Sequence, residues 1–210
     1  MCHTIEQGLD SKFLNGEVYV STDSLLYEAI ATNAGSKSLG LRSSANSQDS
    51  SLDLDVMKEF IYDYKEAFGT SFDCIVHLRP TYPNRPRAII DDAIKQFNDV
   101  YENYDSLRSM VVASESPFKM WSIENNGSHL NFAHSIGTQL KGATEIHSAP
   151  RQSLPTIYFQ NACIDIIKCD TIENLNSITG KNIFPYLMED IGIDIDDEDE
   201  FYKSMEQSIK

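Results

Sequence analysis

The chain has 210 residues, with 17 Lys and Arg against 32 Asp and Glu, a formal net charge of −15. That length buries a full core without disulfides or metal staples, and 41% hydrophobic with 10% aromatic residues excludes a disordered protein. The acidic balance argues against a sequence-independent grip on nucleic acid or an anionic membrane surface, which need a cationic face. It leaves room for a nucleotide-sized anion held by a few local donors.

The start, Met1-Cys2-His3-Thr4-Ile5-Glu6, has neither a basic segment nor an apolar core of the secretory type. No stretch of 18 apolar residues occurs. Cys2, Cys74, Cys163 and Cys169 form no CxxC pair, and Cys74 and Cys163 lie in apolar runs, as buried free thiols do. A reducing cytoplasmic compartment is expected.

In chain order, residues 4–9 read as a helix and residues 17–22 as a short strand. Asp23 or Ser24 caps a helix over 25–33 that ends near Gly35, and 38–42 is a second short strand. Residues 43–51 form a polar loop. Leu52, Val56, Phe60 and Tyr64 recur every four residues along one face of a helix reaching about Phe68. Residues 72–78 are apolar almost throughout, as in a strand covered on both faces of a parallel sheet. Ile89, Ala93 and Phe97 mark the next helix, and 106–113 a strand. Residues 114–155 are rich in Gly, Ser, Asn and Pro, with apolar patches at Met120-Trp121 and Leu130 to Phe132, and read as a β-rich excursion. Strands follow at 158–167 and 183–188, then a helix over 201–209. This alternation predicts an α/β three-layer sandwich with a mostly parallel sheet. Ligands of such sheets sit at the carboxyl ends of strands.

Three segments carry chemistry. Arg79 to Pro86 follows a buried strand; its three prolines stiffen a loop bearing two guanidiniums and Thr81, able to hold a phosphate or carboxylate, or simply a stiff turn. Eight acids fall among the twelve residues 189–200. Most suit a solvated cap of the following helix. The alternation Asp194-Ile195-Asp196 instead fits a strand end with two hard oxygen ligands for Mg²⁺. Arg151-Gln152 with Leu154-Pro155, Tyr158 and Asn161 closes the excursion. The histidines, His3, His77, His129, His134 and His147, show no ligand spacing.

Together these segments resemble, in order, the acylneuraminate cytidylyltransferase family. Val20-Ser21-Thr22-Asp23 resembles its Ser-Thr-Asp turn. Gly35, Leu41-Arg42 and the loop 47–51 resemble its Gly-Ala, Arg-Pro and Asp-x-Ser segment, with Ser43 in place of Pro. Leu78-Arg79-Pro80-Thr81-Tyr82-Pro83-Asn84-Arg85 resembles Leu-Gln-Pro-Thr-Ser-Pro-Leu-Arg. The stretch from Arg151 to Asn161 resembles Arg-Gln-x-Leu-Pro with its Tyr and Asn-Gly-Ala, and Asp194-Ile195-Asp196 resembles Asp-x-Asp before a Phe, here Phe201.

The resemblance implies a Rossmann-like nucleotidyltransferase that transfers CMP from CTP to a sialic-acid-like nonulosonic acid and releases pyrophosphate. It implies Asp194 and Asp196 as catalytic ligands of Mg²⁺, and Arg42, Ser50, Arg79 and Thr81 at the nucleotide. Arg85, Arg151, Gln152, Tyr158 and Asn161 fall at the sugar acid. Residues 114–155 become the dimerisation arm of a homodimer; no nucleic-acid or membrane partner is implied.

Departures are informative. Arg79 replaces a Gln that reads the pyrimidine, and a guanidinium cannot accept from an exocyclic amine. Asn161-Ala162 replaces Asn-Gly, which at sequence level is a small change. The family's opening strand and its Ile-Pro-Ala-Arg-x-Gly-Ser-Lys loop, about 25 residues on the scale of a βα unit, have no counterpart in the sequence. That strand is central, so the expectation is a domain of residues 1–210 incomplete at its N-terminus. Unpaired strand neighbours then cost roughly 1–3 kcal/mol for each buried group. The alternative function is a weakened or non-catalytic relative that binds nucleotide or sugar as a partner subunit.

Overall fold

The computed structural model describes residues 1–125, 131–141, 145–189 and 192–208. His129, Leu130 and Ile209, named above, lie outside the described residues. The chain divides into two compact units, residues 1–110 with 160–210, and residues 111–159.

In the larger unit the elements run α1 (Cys2–Leu9), β1 (Tyr19–Val20), α2 (Leu25–Asn33), β2 (Lys37–Ser38), α3 (Asp53–Phe68), β3 (Cys74–His77), α4 (Arg87–Asp99) and β4 (Ser106–Val112). The smaller unit holds β5 (Trp121–Asn125), β6 (Asn131–Ser135) and α5 (Ile136–Lys141). The chain returns through β7 (Tyr158–Lys168) and closes with α6 (Cys169–Glu173), β8 (Ile183–Leu187) and α7 (Glu198–Ser208). Ser24 caps α2 by accepting from the Tyr27 amide at 3.4 Å, as the sequence predicts.

Four strands form a sheet in the order β3-β7-β4-β8. β8 is parallel to β4, with Ser106 opposite Ile183, while β7 runs antiparallel to β3, with His77 opposite Asp165. The apolar run 72–78 therefore pairs antiparallel with its neighbour, although it is covered on both faces as expected. Both faces are covered because alternate residues point opposite ways. Ile75 and Ile167 face α3 and α6, packing with Met57, Ile61 and Ile172. Val76 and Ile166 face α4, packing with Ile90, Ala93 and Phe97. These are the three predicted layers.

On α3 the buried stripe is Met57 and Ile61, with Phe60 and Tyr64 stacked edgewise on Tyr19 of β1. Leu52, read as the first residue of that face, stands just before the helix and is 63% exposed.

β1 and β2 pair parallel as a separate two-stranded sheet, shorter than the predicted strands. β1 ends one sheet and β3 ends the other, and among the described residues no strand pairs with both. The helices bridge them. α3 touches Tyr19 with its rings and Ile75 with its aliphatic stripe. On α1, Gly8 is set so that a Cβ there would stand 3.1 Å from Val18 and 3.6 Å from Leu78.

The smaller unit contains the antiparallel pair β5–β6, with Trp121 opposite Ser135, and also α5 and three 3₁₀ turns, so it is mixed rather than purely β-rich. Phe118 is buried in it and Trp121 packs edgewise on His147.

Candidate functional site

The loop after β3 is held from four directions. Arg85 is buried, and its fork donates through Nε to the Cys163 carbonyl at 2.5 Å, through one terminal nitrogen to Gln7 Oε1 at 2.9 Å and through the other to the Arg79 carbonyl at 3.2 Å. Gln7 returns its own amide protons to the carbonyls of Pro83 and Arg85. Asn84 donates to the Ser204 carbonyl of α7. Thr81 accepts through its carbonyl from the Ile195 amide at 2.8 Å. The prolines thus stiffen a segment that long-range hydrogen bonds already fix. Burial lowers the Arg85 pKa, partly offset by the Cys163 side chain, Tyr82 and Asp194.

The bond from Ile195 seats the acidic turn on this loop. Gly192 makes the approach possible, since a Cβ there would fall 2.6 Å from the buried Tyr82 ring. Residues 192–195 carry no strand pairing, so the predicted strand end is a turn. Asp194 is half-buried with Oδ1 enclosed and, among the described residues, without a hydrogen-bond partner, while Asp196 is exposed. The rest of the acidic run caps α7: Asp197 accepts from the Glu200 amide and Glu200 from the Asp196 amide, both at 2.8 Å. The helix-cap reading therefore holds for Asp197 and Glu200.

No group of three or more metal-ligating side chains occurs among the described residues. Mg²⁺ asks for less, one or two carboxylates with the remaining ligands from water and phosphate. An enclosed, acceptor-only Asp194 oxygen lacking a donor fits that demand.

Around the N-terminal half of α3 lies the second cluster. Arg42 is placed by its amide on the Thr22 carbonyl at 2.9 Å and by Nε on Ser47 Oγ at 3.4 Å. It lines a shallow hollow with Val20, Ser21, Gly40, Glu59 and Phe60. Burial raises the Glu59 pKa, but the Ser43 amide and hydroxyl, Asn46 and the Arg42 charge together bring it below its ordinary value. Ser50 sits exposed in the adjoining turn. Arg79 reaches the other end of this stretch, its terminal nitrogen 2.9 Å from Asp53. Asp53 and Glu59 are six residues apart, about 9 Å along the axis at 1.5 Å per residue.

The structure thus gathers Arg79, Thr81, Arg85, Asn161, Asp194 and Asp196 about the end of β3, with Arg42 and Ser50 beside α3. Arg85 and Asn161 spend their groups on the protein: Asn161 accepts from the Cys163 amide at 3.4 Å. Arg151, Gln152 and Tyr158 belong to the smaller unit, where Arg151 donates to the Ser114 carbonyl at 2.6 Å. Ala162 stands at φ +56°, the left-handed region that disfavours a Cβ. Replacing Gly at this point is therefore a strained change, not a small one.

Sequence reasoning missed four groups. His77 and Asp165 are register partners across β3 and β7, and Arg108 of the neighbouring β4 lies 2.6 Å from Asp165, both side chains of that ion pair almost wholly buried; with Asp53 they make the four. Burial, then the Arg79 charge, lowers the His77 pKa to about 4, so its ring is neutral at pH 7. A lone acid in the apolar run 163–167 was the available signal for a buried partner. Asp53 gave none, because its pairing with Arg79 is tertiary.

No family model matches the chain. A post-translational flagellin modification protein B of Campylobacter coli is 29% identical over 212 residues, spanning 100% of this chain and 83% of that protein. A CMP-N,N′-diacetyllegionaminic acid synthase of Campylobacter jejuni is 28% identical over 203 residues, 96% of this chain and 80% of that one. A CMP:2-keto-3-deoxy-manno-octonic acid synthetase solved with CTP shares the fold at TM-score 0.64, with 14% identity over 99% of this chain and 85% of its own. The resemblance carried by the motifs is borne out by relatives that span the chain.

Proposed function

We infer that this chain, an enzyme of the CMP-sugar synthetase kind by its relatives and motifs, transfers CMP from CTP to a sialic-acid-like nonulosonic acid and releases pyrophosphate. The observation that carries the reading is the bond from Ile195 to Thr81, which seats the two aspartates on the loop ending β3. Asp194 and Asp196 would hold Mg²⁺, which neutralises charge on the triphosphate when bound. Arg42, Ser50, Thr81 and Arg79 face the nucleotide, and the fixed loop supplies positioning, the main protein contribution to such transfers. Arg85 and Asn161 act on the sugar-acid side by shaping the loop and β7, and Arg151, Gln152 and Tyr158 contact the sugar acid. The smaller unit serves as the arm of a homodimer, and the enzyme works in the cytoplasm; no helix among the described residues is long and apolar enough to cross a membrane.

Pyrophosphate release tests this, measured with CTP, Mg²⁺ and a panel of nonulosonic acids that includes N,N′-diacetyllegionaminic acid. CTP-dependent release with at least one acid is expected. Blank reactions throughout, with CTP still bound, would favour the second reading, a non-catalytic nucleotide- or sugar-binding relative. That reading is favoured by the break between the β1–β2 pair and the four-stranded sheet. Blank reactions with neither CTP nor any of the nonulosonic acids bound would refute both.

A further inference from the structure

Arg79 offers donors only, yet the reading above sets it against a pyrimidine whose exocyclic amine needs an acceptor. The acceptor stands beside it. Asp53, the first residue of α3, lies 2.9 Å from one terminal nitrogen of Arg79 through Oδ2. Their side chains are 31% and 42% exposed, so the pair faces solvent and is open to a ligand. As a stabilising device such an exposed pair contributes little. Nearby, the His77 ring is neutral at pH 7 and Asp165 has its own ion-pair partner in Arg108. Two residues along, Thr81 takes the amide of the turn bearing Asp194 and Asp196, and three residues of chain span at most about 10 Å.

The geometry points to Arg79 and Asp53 together as the reader of the base, selecting cytosine over uracil. This rests on the cytidylyltransferase reading. The second carboxylate oxygen of Asp53 accepts from the exocyclic amine, and the remaining guanidinium protons donate to the ring nitrogen and carbonyl. In sequence along the edge, the pair offers acceptor, donor, donor, the complement of cytosine's donor, acceptor, acceptor. Uracil puts a carbonyl where cytosine has its amine, so the carboxylate meets another acceptor and is left unsatisfied. Neither residue alone supplies both functions.

Calorimetric titration of the 210-residue chain with CTP and with UTP, both with Mg²⁺, tests this. The wild type is expected to prefer CTP by about 5- to 150-fold, the span of one good bidentate base contact. Asp53→Asn, whose amide turns either end to the ligand, should bring the ratio below about threefold. Losing one negative charge strengthens both triphosphates alike and leaves the ratio untouched. A thermal midpoint confirms that the variant is folded. An Asp53→Asn protein that keeps the full ratio overturns the inference and leaves the cytidylyltransferase reading standing, as does a wild type that binds both nucleotides equally. A wild type that binds neither overturns that reading, and this one with it.

Discussion

Arg85→Lys separates a clamp from a ligand contact. The guanidinium reaches three acceptors of the protein, on Cys163, Gln7 and Arg79, from a site that is 2% exposed. An ammonium on a flexible stem satisfies one of them. Two charge-assisted bonds are then lost, at about 1.5–3 kcal/mol each. Water reaching the vacated acceptors recovers part of this, so the net cost is about 3 kcal/mol. For a domain of this size each kcal/mol lowers the midpoint by about 2–4 °C, which gives a fall of about 6–12 °C in a calorimetric or circular-dichroism melt. Because the clamp holds the loop and not a ligand, KM for the sugar acid measured well below the melt should change by less than about threefold. A midpoint within about 2 °C of wild type with a tenfold rise in that KM would refute the reasoning and make Arg85 a substrate ligand.

Other substitutions probe neighbouring points. Asp196→Ala should abolish pyrophosphate release while shifting stability by no more than about 0.5 kcal/mol, as for an exposed residue; retention of most of the rate would reduce the turn to a helix cap. Asp197→Ala, which removes the acceptor for the Glu200 amide, should cost about 1 kcal/mol in denaturant unfolding. Ala162→Gly should raise the unfolding free energy by about 1 kcal/mol, since it relieves a left-handed alanine; a loss would mean that the Cβ makes compensating contacts. His77 binds its proton less readily folded, near pH 4, than unfolded, near pH 6.5. Its neutral form therefore supports the fold above about pH 6.5, and that support is lost as pH falls toward 4, at up to about 1.4 kcal/mol per pH unit. Melts of wild type and His77→Gln across pH 4 to 7 should show a shallower slope for the variant.

Local signals carried most of the element map. The helix over 25–33 was legible because Ser24 is a cap and Gly35 a stop, and β3 because its residues are apolar on both parities. β1 and β2 came out shorter than the strands read at 17–22 and 38–42, because pairing, not propensity, ends a strand. The antiparallel sense of β7 was not legible: it follows from the chain leaving at Val111 and returning beside β4 after the smaller unit. At the site, Thr81, Asp194 and Asp196 were found by pattern, and the structure seats them together. Arg85, expected at the sugar acid, proved buried on the protein's own acceptors, since nothing local distinguishes a guanidinium that meets a carbonyl 78 residues away. The same blindness hid Asp53, and made Ala162 look like a neutral exchange when only its φ reveals the strain.

Gln7 lies one turn into the first helix, yet it donates to the carbonyls of Pro83 and Arg85 and accepts from the Arg85 guanidinium in return. The opening helix is thus a latch on the rim where Thr81 and the aspartates meet. A bulky fusion, a nick or a partner gripping its outer face would pull on that rim through the Gln7 amide.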